Sequence, residues 1–151
     1  MAAKYLYEQG LSAYEEALNS SPNDSALLKN CAIVLVKIEK LTIAEAENKK
    51  RIADVKISLR SALIARANAY YKKAIEVDEH HSSYISYANF LEDCGSVKEA
   101  EENYLLALEK CPLNVHYLQK YSQFLQYNKQ DEIGSQAFLD RVQKISGNAT
   151  N

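Results

Sequence analysis

Nearly half of the chain, from Asn23 to Cys94, contains neither glycine nor proline. Strands must reverse direction every few residues, and tight reversals draw on glycine for positive φ and on proline for a fixed φ. A stretch this long without either reads as successive long helices. The remainder agrees, because four glycines and two prolines in 151 residues are too few for an all-β domain. With 47% of its residues apolar the chain can bury a sizeable core. The expected fold class is therefore all-α.

A repeat lies inside the helical pattern. Ala100, Tyr104, Ala107 and Pro112 are matched upstream, at the same spacing, by Ala67, Tyr71, Ala74 and Glu79. Gly10, Tyr14, Ala17 and Pro22 show that spacing again near the start. The other half repeats as well: Tyr84, Tyr87, Ala88 and Leu91 return as Leu118, Tyr121, Ser122 and Leu125, and upstream as Leu28, Cys31, Ala32 and Leu35. Each half is one helix with an apolar stripe and a small residue at its centre. Small residues let a neighbouring helix approach closely, and the tyrosine fills the space beside them. Gly95 permits the turn between the two halves, and Pro112 cannot continue the second.

On these residues the chain resembles the tetratricopeptide (TPR) repeat proteins. Tyr84, Tyr87, Ala88, Leu91, Gly95, Ala100, Tyr104, Ala107 and Pro112 fill the family's repeat pattern almost completely. The match weakens in the last repeat, where Gly134, Phe138 and Arg141 occupy the second helix. A cousin, the half-a-TPR repeats of RNA-processing factors, shares the flavour of Tyr87 to Glu92 but favours a tryptophan that this chain lacks. The resemblance implies a right-handed α-solenoid. Its parts would be the second helix of a partial repeat at 4–20, an extended repeat at 25–78, a repeat at 81–111, a terminal repeat at 115–145 and a disordered tail at 147–151, all in one domain over 1–146.

Two departures carry information. The helix holding Tyr14 and Ala17 is a second helix without its first-helix partner, which would leave the stripe Leu6, Leu11, Tyr14 and Leu18 uncovered and seeking a partner. The next repeat is overlong: the step from Ala17 to Ala74 far exceeds the roughly 34 residues expected. The excess of about 22 residues, between Ile38 and Ser61, is about six helical turns. Two architectures satisfy it. In an elongated antiparallel hairpin, Ile52, Val55, Leu59 and Leu63 form a seam against Val34, Ile38 and Leu41, with the turn near Asn48-Lys49-Lys50 or at a capping box on Thr42 and Glu45. In the alternative, one continuous helix pairs with a second chain as a swapped dimer.

In the TPR geometry the first helices line a concave face. The resemblance places Lys29, Ile33 and Val36 there, then Ile85, Asn89 and Glu92, then His116, Gln119, Gln123 and Gln126. That mixture suits an extended or helical peptide held by amide side chains and a few apolar contacts. The carboxylate clamp of chaperone-binding relatives is broken, since Ser82 and Ser86 stand where basic residues are needed. Charge adds a gradient: residues 37–60 hold seven basic and four acidic side chains, and residues 76–110 hold two and nine. The net charge of −2 gives no reason to expect nucleic acid.

Catalytic patterns are missing. His80 and His81 are adjacent, and neighbours on a helix point apart, so no metal or other cofactor is expected. Glu15-Glu16 and Glu101-Glu102 are adjacent pairs on exposed faces, not opposed carboxylates. Cys31, Cys94 and Cys111 are odd in number and share no metal spacing, which reads as small buried thiols in a reducing compartment. No apolar run approaches the ~20 residues of a membrane span. The sequence thus points to a cytoplasmic, non-catalytic scaffold that binds a protein or peptide partner. Self-association as a homodimer is the alternative.

Overall fold

The computed structural model describes residues 2–48 and 53–148, with side chains for 3–45 and 61–147. Every regular element among them is helical. Contacts divide the chain into two compact units, Met1–Glu79 and His80–Asn151.

The first unit holds α1 (Ala2–Ser20), α2 (Ser25–Asn48) and α3 (Ala53–Val77). Asp24 caps α2, its Oδ1 accepting from the Leu27 N–H at 2.9 Å. α2 and α3 pack on each other, and Ser25 at the start of α2 donates to Asp78 just past the end of α3 at 3.3 Å. The pair is therefore an antiparallel hairpin within one chain, not a rod needing a second copy. Each helix is eleven residues longer than its counterpart in the following pair, about three turns. Of the expected seam, Ile38 and Leu63 are buried, while Val34 and Leu41 are half-buried. Ile52 and the side chains of Val55 and Leu59 lie outside the described residues, as do Lys49 and Lys50. Thr42 starts no helix. It sits inside α2 and donates its hydroxyl to the Ile38 carbonyl at 2.8 Å, a bond that satisfies the side chain without ending the helix.

α1 lies against α2, and Glu15 reaches α3, accepting from Arg66 at 2.6 Å and from the Tyr70 hydroxyl at 2.8 Å. The uncovered stripe expected on α1 is only partly so. Leu11 is buried and Tyr14 and Leu18 are half-buried, because α2 takes that face; Tyr5 and Leu6 remain exposed.

The second unit begins with α4 (His81–Asp93) and α5 (Val97–Lys110). Gly95 sits at φ +79°, and the Gly95 and Ser96 N–H groups bond to the Glu92 and Leu91 carbonyls at 2.9 Å. This left-handed closure satisfies the last carbonyls of α4, and glycine adopts it without a Cβ clash. Ala88 and Ala100 are fully buried, as the close approach of α4 and α5 requires.

α6 (Val115–Phe124) follows, passes into a π-helical turn (Leu125–Lys129) and is succeeded by α7 (Glu132–Asn148). The α4 cap His80 and the α6 cap Asn114 are one repeat length apart, but Ser96 and Asp131, which start α5 and α7, are separated by one residue more. A π turn is an α-helix carrying one extra residue, and here it absorbs that residue. The expected register of α7 is therefore shifted at two of its three positions. Ser135 and Val142 are buried, whereas Gly134 is half-buried and Arg141 is exposed, its guanidinium donating to the Pro112 carbonyl at 3.2 Å. Phe138 keeps its expected place, its ring edge-on to Tyr121 at 4.9 Å, and Leu139 is exposed. Helix α7 runs on through Gly147 and Asn148, beyond the expected start of the tail, and residues 149–151 lie outside the description.

No helix among the described residues is long and apolar enough to cross a membrane.

Candidate functional site

A cleft of about 350 Å³ opens in the second unit. Asn89, Glu92 and Asp93 of α4 form one side, Lys120 and Gln123 of α6 with Tyr127 of the π turn form the other, and Tyr104 of α5 completes the lining. Helical spacing brings Asn89, Glu92 and Asp93 to adjoining positions, and Lys120 and Gln123 stand three apart on the facing helix.

Tyr104 fixes the acidic side. Its ring is fully buried, 5.2 Å from the Phe124 ring. Its hydroxyl lies 2.6 Å from Glu92 Oε2 and 2.8 Å from Asn89 Oδ1. One proton serves both oxygens, and the charged carboxylate is the stronger acceptor. Asn89 is tied from its other end, donating Nδ2 to the Ile85 carbonyl at 2.8 Å. Asn128 Nδ2 donates to Glu92 Oε1 at 2.6 Å, so both Glu92 oxygens have a partner. Burial, and next the hydrogen bond to Glu92, push the Tyr104 phenol well above its ordinary range. Near neutral pH it is a fixed donor, not a proton-transfer group.

The other side is available. Lys120, Gln123 and Tyr127 make no hydrogen bond or ion pair among the described residues, and Tyr127 is 75% exposed. The cleft thus presents a locked carboxylate and amide opposite an unengaged amine, amide and phenol ring.

Of the residues expected on a concave face, the cleft brings together Asn89, Glu92 and Gln123. Ile85 is 6% exposed and belongs to the core, because α4 turns it inward with Ala88. His116, Gln119 and Gln126 are exposed but do not line the cleft, and Lys29 and Ile33 are half-buried on α2 of the first unit. Sequence reasoning missed Asp93, Tyr104, Lys120 and Tyr127. Tyr104 was read as core, which its ring is. Tyr127 depends on the π turn, which no local motif announces.

The histidines also depart from expectation. His80 is the N-cap of α4 with extended backbone, so it precedes the helix, and its ring centroid lies 4.1 Å from that of His81, the planes tilted by 34°, instead of pointing away. His80 Nδ1 accepts from the Ser82 N–H at 3.3 Å, and His81 Nδ1 bonds to the Tyr117 hydroxyl at 2.7 Å. Among the described residues no group of three or more His, Cys, Asp or Glu could hold a metal ion. The cysteines are not uniformly buried: Cys31 is, Cys111 is half-buried, and Cys94 is exposed where α4 ends. Burial pushes the Cys31 thiol up to about 11.

No family model and no curated protein matches the chain. Solved structures do. A monomeric mutant of IFIT1 with Gppp-AAAA matches with a TM-score of 0.78 at 18% identity, covering 92% of this chain and 31% of that one. The human IFIT1 dimer with PPP-AAAA gives 0.76 at 18%, with 96% and 32% covered. MamA gives 0.53 at 14%, with 99% and 94% covered. The chain spans about a third of the length of the IFIT1 chains. At these identities the likeness is one of fold: an array of helix pairs.

Proposed function

We propose that this chain, an all-α array with the TPR-like helix-pair fold, is a non-catalytic cytoplasmic interaction module that holds an extended peptide segment of a partner protein in the α4–α6 cleft. The supporting observation is the division of labour among the cleft residues. Asn89 and Glu92 are held in place before any ligand arrives, so their ordering is not charged to binding. Gln123 can donate and accept toward a peptide backbone, and Lys120 can donate to its carbonyls. Tyr104, held far above its ordinary range, acts as a fixed donor, which suits binding better than proton transfer.

The test is selection of peptides from a random library against the full chain, followed by fluorescence anisotropy on the winners. Gln123→Arg and Asn89→Arg should each weaken the selected peptides by about tenfold or more, since each puts bulk and charge into the cleft. Undiminished affinity in both variants would remove the reading.

Two IFIT1 structures hold Gppp-AAAA and PPP-AAAA, and that favours a second reading in which this chain also takes an oligonucleotide with a phosphorylated 5′ end. The described cleft argues against it, because two carboxylates face a single lysine there. A 5′-triphosphorylated AAAA oligonucleotide is the direct probe. No saturable binding is expected, and salt-dependent binding would overturn that expectation. Homodimer formation has the exposed Tyr5 and Leu6 of α1 as its candidate surface. Light scattering over a dilution series tests it, and a constant monomer mass would eliminate it.

A further inference from the structure

The geometry points to a subsite for an arginine side chain, built from Glu92 and Tyr127 and created by the π turn of Leu125–Lys129. The inference rests on the peptide-binding reading and specifies what that peptide must carry.

It starts with the extra residue. Adding one residue to an α-helix rotates everything after it by about 100° around the axis, and a π turn takes up that rotation locally. The turn contributes two residues to this site. Tyr127 lines the cleft with three-quarters of its surface open, and Asn128 reaches Glu92 across the two helix pairs. The preceding pair has one residue fewer here: α4 ends at Asp93 and closes on Gly95 with no π turn.

The chemistry follows from what these residues leave unused. Each Glu92 oxygen accepts one short bond, from Tyr104 or from Asn128, and a carboxylate has about four acceptor positions. The remaining lone pairs belong to a group fixed in orientation, which suits the planar fork of a guanidinium better than a rotating ammonium. The same cleft holds the exposed ring of Tyr127, with no partner among the described residues, a surface on which a guanidinium can stack. The lining carries Glu92 and Asp93 against Lys120, so a cation is favoured over an anion. Lys120, Asn89 and Gln123 are left for the peptide backbone.

The test uses the full chain labelled with nitrogen-15, titrated with Nα-acetyl-arginine-N-methylamide and, separately, with the norleucine and glutamine analogues. Saturable shifts at the Asn89, Gln123 and Tyr127 amides are expected with the arginine compound and not with the other two. Glu92→Gln and Tyr127→Ala should each weaken the arginine compound by about fivefold or more, and Glu109→Gln, away from the cleft, should leave it unchanged. Tyr127 is exposed, so its variant keeps the test valid if Glu92→Gln disturbs the fold. Equal shifts with norleucine, no saturable shift at those amides, or full affinity in Tyr127→Ala would overturn the subsite. Library peptides that bind the cleft without any arginine would sink the subsite while leaving peptide binding standing. An arginine compound that binds where no library peptide does would do the reverse.

Discussion

In the pair α4–α5 the small residues Ala88 and Ala100 are fully buried, as is Ala107, while in α6–α7 the residues corresponding to the first two are Ser122 and Ser135, one residue further apart. The first pair closes its turn on Gly95 at φ +79°; the second closes on Gln130 at φ 54°, with the Asp131 N–H bonded to the Leu125 carbonyl at 3.0 Å. At Ala88 and Ala100 the first pair buries only methyl groups. In the other, Ser122 donates to the Ser135 carbonyl at 3.0 Å and the Ser135 hydroxyl, 2.9 Å away, donates back. The difference teaches where a repeat can absorb an insertion. The extra residue went neither into the loop nor into the packing face but into the last turn of α6, and the side chains it displaced became part of the cleft.

Raising the pH attacks both pairs and should have the largest effect. Burial first, and nearby carboxylates second, push Tyr87 and Tyr121 up to about 12 and Tyr104 further. Folded values above the unfolded value near 10 mean that the stabilisation is complete below pH ~10 and is lost as pH rises through the folded values. Cooperative loss of helical circular dichroism is expected between pH 10 and 12, with tyrosinate absorbance rising in the same transition. Tyrosinate appearing near pH 10 with the helices intact would contradict the burial.

The register shift is tested next. Val142→Asp buries a charge without a partner and should cost about 3 kcal/mol, against less than about 1 kcal/mol for Arg141→Ala. Under an unshifted register position 142 would face solvent and Val142→Asp would cost no more than Arg141→Ala, so thermal melts of the two variants decide between them. Tyr104→Phe removes the hydroxyl that Glu92 and Asn89 share and should cost about 1–2 kcal/mol. Tyr121→Phe loses only a 3.4 Å contact to Glu101 and should cost less.

The two turns should respond with opposite signs. Gly95→Ala forces a Cβ into a left-handed conformation and should destabilise by about 1 kcal/mol. Gln130→Gly relieves the same strain in the second pair and should stabilise by up to about 1 kcal/mol. A destabilised Gln130→Gly would mean that the side chain contributes something the backbone angle does not reveal.

Much of the fold was legible because its signals are local and periodic. The small-x3-Tyr-x2-Ala spacing located α1, α3 and α5, and the missing turn residues between Asn23 and Cys94 marked the excess residues as helical. Deciding between hairpin and rod needed a tertiary contact, the one between Ser25 and Asp78. The last repeat misled for a physical reason. Counting one repeat length forward assumes an unbroken α-helix, and the π turn adds one residue with no glycine or proline to mark it. The cleft was legible only where it follows the first-helix faces, at Asn89, Glu92 and Gln123. Tyr104 entered it through a hydroxyl on an otherwise buried ring, and Tyr127 through the inserted residue. His80 was placed on a helix that it in fact caps, because a histidine cap is rarer than the Asp24 and Asn114 caps of the other first helices.

The central claim is that a partner's peptide sits in the α4–α6 cleft, and photo-crosslinking tests it most directly. A library-selected peptide carrying a benzophenone group would be irradiated with the full chain and the adducts mapped by mass spectrometry. The expected adducts fall within 89–93 and 120–127, and they diminish in Gln123→Arg. Adducts confined to α1 or to the α2–α3 hairpin, unchanged by Gln123→Arg, would contradict the account.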